Sequence, residues 1–219
     1  MISKIIIGLE DIKLLYAFLG WSSAILSQTI IEKIKVASKR RNLKILVFSE
    51  LKDIGFRLAS VCSKLQTHLG IKDREAFERL RTIYKKFGPK SVQKDIQVMD
   101  EFLKATDDQI KTVTLLGKSA QGIGLSLKKY ALFSTGSILE NLYLFDSEFQ
   151  RDILDIKFQM NVFNEEIDSA NFYHRLTFDP AAMGTNGDLV RGNLSGIYKN
   201  LISVSTALVN KIEILVERN

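Results

Sequence analysis

The side chains able to do chemistry in this sequence are sparse: one cysteine, Cys62, and two histidines, His68 and His174. A thiol acts as nucleophile or metal ligand in its thiolate form, which needs a base or positive group beside it. Cys62 instead follows Val61 within an apolar helical spacing and reads as a buried structural thiol. A structural zinc site wants roughly four Cys, His or carboxylate ligands at close spacing, and these three scattered donors do not supply it. A di-iron bundle site wants Glu-x-x-His pairs on two helices, and the sequence contains no such pair. His68 follows Leu65 by three and His174 follows Ala170 by four, so both read as the ends of apolar seams.

Gly117-Lys118-Ser119 resembles the end of a phosphate-binding loop, but the motif's earlier glycine would fall on Thr112. Gly122 and Gly124 supply two glycines of a dinucleotide fingerprint and lack the third. All three glycines read better as places where helices approach closely. Glu148, Asp152 and Asp155 share one helical face, with Glu165, Glu166 and Asp168 further on. Paired carboxylates do acid–base work when burial separates their pKa values; beside an apolar seam these read as solvated groups. No cofactor and no catalytic residue is assigned, and no small-molecule substrate is indicated.

The elements that must position these residues are helical. Two prolines, Pro89 and Pro180, interrupt the whole chain, and apolar residues recur at steps of three and four rather than two. One seam runs through Val47, Leu51, Ile54, Leu58, Val61 and Leu65. Others run through Phe77, Leu80, Tyr84 and Phe87, and through Val92, Ile96, Met99 and Leu103. Further seams are Val113, Leu116, Ala120, Ile123, Leu127 and Tyr130, then Phe149, Ile153, Ile156, Met160, Phe163, Ile167 and Ala170, and last Leu194, Ile197, Leu201, Val204 and Leu208. Only Ile5 to Ile7 and Lys44 to Phe48 alternate like short strands. A stripe of this kind must be buried against a neighbour. The expected fold is therefore all-α, a single domain over 1–219. It is a bundle of about six long helices, mostly antiparallel, with coiled-coil-like seams.

Boundaries follow from capping chemistry. Gly70 should close one helix and Asp73 open the next. Gly88-Pro89 should end that helix with a left-handed glycine, and Thr106 with Gln109 forms a capping box. Asp146 or Ser147 should open the longest seam. The stretch 177–188 (TFDPAAMGTNGD) reads as the extended loop.

Two features point toward partners. Leu14 to Ile31 passes eighteen residues without a charge, or about 27 Å of helix, at the lower edge for crossing a bilayer. Leu14, Phe18, Trp21 and Ile25 mark it as either the central core helix or a membrane-associating one. Gly20, Ser23 and Ser27 share a face, as small residues do where membrane helices meet. Gln28, Thr29 and the serines favour the core reading. Net charge is +6 overall, yet residues 32–90 hold sixteen Lys and Arg against six acids, and residues 140–188 hold three against ten. Lys33, Lys35, Lys39, Arg40 and Arg41, with Arg79, Arg81, Lys85, Lys86 and Lys90, form the candidate surface for an anionic partner.

The lone cysteine and the absence of a secretory cleavage pattern indicate an intracellular, cytoplasmic protein. The functional expectation is a non-catalytic interaction or assembly protein engaging a protein partner or itself. A bundle associated with the membrane through 14–31 is the nearest alternative. A basic nucleic-acid-binding module comes after it, because Phe77, Tyr84 and Phe87 lie on a seam rather than on a stacking platform.

Overall fold

The computed structural model describes the backbone of residues 2–118, 124–132 and 136–218, and the side chains of 16, 18–118, 124–132, 138–184 and 186–218. Outside short connections and residues 124–132 the described residues are helical, and none of them forms a strand. They form α1 (Ile2–Leu69), α2 (Arg74–Phe87), α3 (Gln93–Phe102), α4 (Asp107–Leu116), α5 (Gly136–Glu140), α6 (Ser147–Leu176) and α7 (Pro180–Arg218), with 3-10 turns at Lys90–Val92 and Leu142–Leu144. The two strand-like stretches, 5–7 and 44–48, lie inside α1. Local alternation there is too short to oppose the helical run on either side.

The chain divides into two compact units, Met1–Leu46 and Val47–Asn219, with the boundary inside α1. In the second unit α1 buries the whole seam from Val47 to Leu65. Its end is a Schellman motif: Gly70 takes φ 70°, its N–H donates to Thr67 O, and the Ile71 N–H donates to Gln66 O. Asp73 then accepts from the Ala76 N–H and starts α2. Arg74 donates to the carbonyl of Leu103 at 2.8 Å, and also to that of Ala105. It thereby ties the start of α2 to the carbonyls that follow α3. Gly88 ends α2 in extended backbone, φ −69° and ψ 146°, not in the left-handed form its type suggests. Glycine serves here through size, because a Cβ would lie 2.4 Å from Tyr84 O and 2.6 Å from Val92.

The Thr106–Gln109 capping box opens α4, but the seam expected to continue to Tyr130 stops at Leu116. Ile110 and Thr114 face inward while Val113 and Leu116 are exposed. Gly117 caps the helix, and residues 124–131 are not helical. Ala120 and Ile123 of that seam lie outside the described residues. Repeated glycines lower helix propensity by ~1 kcal/mol each. Gly124 also sits where a Cβ would meet His174 at 2.5 Å and Leu194 at 2.9 Å.

α6 buries all seven residues of its predicted seam, and Asp146 caps it by accepting from the Phe149 N–H. The 177–188 stretch is not an extended loop. Only 177–179 lies outside helix, because Pro180 sits at the first helical position and Asp179 accepts from the Ala181 N–H. Asn186 kinks α7 with φ −128° and ψ 20°. α7 packs along α6: Arg218 pairs with Glu148 and Asp152, Lys211 with Asp155, and Asn193 donates to the Tyr173 hydroxyl. The buried stripe of α7 is Val190, Leu194, Tyr198, Leu201, Ser205, Leu208, Ile212 and Leu215. It takes Tyr198 and Ser205 where apolar type alone had selected Ile197 and Val204.

Candidate functional site

The first unit holds the predicted apolar run. From Tyr16 to Asn42 every described side chain is exposed except Ser22, which is half-buried. Phe18 is 62% exposed, Trp21 63% and Ile34 62%. Residues 16–31 are therefore not the buried core helix that their composition favoured. Leu14 has a side chain outside the described residues. At about 3.6 residues per turn, Leu19, Trp21, Ile25, Ile31 and Ile34 point in all directions around the axis. Such a helix has no polar face with which to stand in water. Three of its hydroxyls are satisfied internally: Ser23 donates to Gly20 O, Ser27 to Ser23 O and Thr29 to Ile25 O. Ser23, Ser27 and Thr29 thus present little unpaired polarity to an apolar environment. Among the described residues no helix is long and apolar enough to cross a membrane.

The basic candidates fall into two groups. Lys33, Lys35, Lys39 and Arg41 are exposed and make no ion pair among the described residues, and Arg40 lies beside them on the same helix. Those of α2 are committed elsewhere in the fold. Arg79 and Lys86 both pair with Glu213, Lys86 also pairs with Glu217, and Arg81 and Lys85 pair with Asp100. Glu213 is buried, so these cations neutralise an internal charge rather than offer themselves to phosphates. Lys90 remains exposed beside them. The α6 carboxylates are likewise paired, since Glu148, Asp152 and Asp155 hold Arg218 and Lys211, where free solvated groups were expected.

Sequence reasoning missed the neighbourhood of Lys72. This lysine is only 8% exposed. Its Nζ donates to the Ser63 hydroxyl at 2.6 Å and lies 3.9 Å above the Phe77 ring. Burial holds the ammonium pKa down to about 8. The Thr114 hydroxyl donates to the Lys72 carbonyl, locking the residue between α1 and α4. Ser63, Gln66 and Cys62 of α1, Arg79 of α2 and Asn210 of α7 line a cleft of about 530 Å³ next to it. Cys62 is half-buried there, 3.6 Å from the Thr206 hydroxyl, and not fully buried as its neighbour Val61 suggested. The cleft also takes in Asp73, Glu75 and Glu78. Its charged groups therefore oppose one another and select no ligand class. A lone lysine outside any apolar seam carries no periodic signal, which is why the pattern did not reveal it.

The two histidines come near one another by the C-terminal end of α1, where the charge of His174 acts on His68. His68 packs edge-on against Tyr198, ring centroids 5.3 Å apart, and His174 packs on Phe178. Burial first, and the charge of His174 second, hold the His68 pKa below its ordinary value. Among the described residues no group of three His, Cys, Asp or Glu is placed to hold a metal. Tyr198, also unflagged by the pattern, donates to Leu125 O and accepts from the Leu125 N–H, and burial raises its phenol pKa. Gly117 caps α4, and Ser119 and Gly122 lie outside the described residues. No family model, curated protein or solved structure matches the chain.

Proposed function

We propose that this is a non-catalytic interaction protein: a mostly antiparallel helical bundle with coiled-coil-like seams that presents the front of α1 to an apolar partner. The observation that carries the reading is the exposure of large apolar side chains around the whole circumference of the helix from Tyr16 to Val36. Contiguous exposed apolar surface of this kind marks an interaction site. The partner is another protein or a second copy of the chain. The test compares the full chain with a version starting at Glu32, by solution mass and by retention on immobilised full-length chain. Assembly of the full chain and a monomeric, helical truncation support the reading. Equal behaviour of the two removes it.

Membrane association is the second reading, and it has its own support. An apolar circumference suits surrounding lipid better than a one-sided groove, and the internally bonded hydroxyls of Ser23, Ser27 and Thr29 suit it too. Lys33, Lys35, Lys39 and Arg41 would then sit at anionic headgroups, where each adds about 1 kcal/mol. Flotation with vesicles containing phosphatidylserine, for the full chain and the truncation, separates this from protein assembly. Pairing of Arg79, Arg81, Lys85 and Lys86 within the fold takes the α2 cations out of the nucleic-acid reading, which would rest on Lys33, Lys35, Lys39, Arg41 and Lys90 alone.

A further inference from the structure

The main chain of residues 124–132 (GLSLKKYAL) is held by side chains from α6 and α7. The Leu127 N–H donates to Asn171 Oδ1 at 2.9 Å, and Asn171 Nδ2 donates back to Leu127 O at 2.9 Å. The Tyr130 N–H donates to Asn164 Oδ1 at 3.0 Å, and Asn164 Nδ2 returns to Tyr130 O at 2.8 Å. Tyr198 closes the same two-way exchange with Leu125, at 2.6 and 3.1 Å. An asparagine amide presents a donor and an acceptor side by side, the same pair that a neighbouring strand would offer. Here α6 and α7 supply it in place of a sheet.

The spacing explains why the arrangement repeats. Asn164 and Asn171 are seven residues apart, so two helical turns separate them by about 10.5 Å. Three residues, Leu127 to Tyr130, must cover that distance, and about 3.3–3.6 Å per residue is the limit of an extended chain. A pair of asparagines at heptad spacing is therefore a ruler for extended peptide. Along the segment Leu125, Leu127 and Tyr130 are half-buried and Leu132 is buried, while Ser126, Lys128, Lys129 and Ala131 are exposed. Between the asparagines, Lys129 pairs with Asp168 at 2.9 Å.

We propose that Asn164, Asn171 and Tyr198 form a groove for extended peptide, which residues 124–132 fill in their own chain and which the same segment of a second copy can fill in exchange. The occupant follows from what is seen to fit: two main-chain exchanges by asparagine, one by tyrosine, a Leu-x-Leu-Lys-Lys-Tyr-x-Leu pattern, and one ion pair. Any second copy carries that sequence, and exchange of an identical element between protomers costs few contacts. The inference does not rest on the front of α1.

The test replaces 124–132 by nine Gly and Ser residues and adds a fluorescently labelled GLSLKKYAL peptide. We expect saturable binding by the replaced chain and binding weaker by about tenfold or more in the intact, already filled chain. Adding Asn164→Ala and Asn171→Ala to the replaced chain should lower its binding by about tenfold or more, since four main-chain bonds are lost. A replaced chain that stays helical and ignores the peptide overturns the proposal, as does binding indifferent to both asparagines. If the replaced chain does not fold, full-length chains decide. One carries Lys129→Cys, the other Asp168→Cys, both with Cys62→Ser, refolded together and treated with a short bis-maleimide. A covalent heterodimer supports exchange. Its absence, while a single chain with both cysteines cross-links internally, overturns it.

Discussion

The two halves of α1 are one helix with opposite surroundings. Between Val47 and Leu65 the side chains of its seam are 0–7% exposed, while between Tyr16 and Val36 the large apolar side chains are 45–70% exposed. The rear half places its apolar residues in one stripe and its polar ones elsewhere, so a single packed face satisfies it. In the front half apolar residues occupy every direction, and no single neighbouring face could cover them. Apolar content in the two halves is thus not the same thing energetically. One half stabilises the fold, and on the reading proposed above the other would be stabilised by contact with something outside the chain.

Substitution in each region should separate those roles. Phe163→Ala, in the core that the rear of α1 shares, is expected to lower unfolding free energy by about 4 kcal/mol in denaturant titration. Trp21→Ala with Ile25→Ala should leave that value within about 0.5 kcal/mol, yet weaken assembly or vesicle binding. A large loss of stability from the second pair would erase the comparison.

Lys72 sharpens the contrast from the side of charge, since it is the buried cation of the packed unit. Its folded pKa, about 8, lies below the ordinary 10.5. Between those values the unfolded chain binds more protons, so this group makes stability rise with pH across that window. Below about pH 8 its full cost applies, of order 3 kcal/mol. Lys72→Met should stabilise the protein at pH 7, and the advantage over the parent should shrink by pH 10. Parallel stability curves for the two proteins would refute the assignment.

Glu213→Gln is expected to cost about 2 kcal/mol, because Arg79 and Lys86 lose their buried counter-charge. The loss should be nearly independent of salt, unlike that of an exposed pair. Among changes inside the packed unit the smallest loss is expected for Thr106→Ala, which removes the capping hydroxyl of α4 and should lower unfolding free energy by about 1 kcal/mol in denaturant titration.

Spacing and capping residues alone determined much of this protein. Helix type, the stripes of α3, α6 and the rear of α1, and the boundaries at Gly70, Asp73, Thr106 and Asp146 follow from interactions within a few residues of chain; in α2 the buried stripe is Leu80, Ile83 and Phe87, while the expected Phe77 and Tyr84 are half-buried. Such interactions are nearly the same in any fold. Tertiary structure decided what depends on residues far apart in sequence. It chose Tyr198 and Ser205 for the α7 stripe, where the phenol meets Leu125 and the Ser205 hydroxyl donates to Ile202 O. It turned 124–131 out of a helix, because Asn164, Asn171 and Tyr198 satisfy its backbone from other elements. It paired the α2 cations with Glu213 and Asp100. And it left the front of α1 bare, since burial belongs to a residue's neighbours and not to the residue.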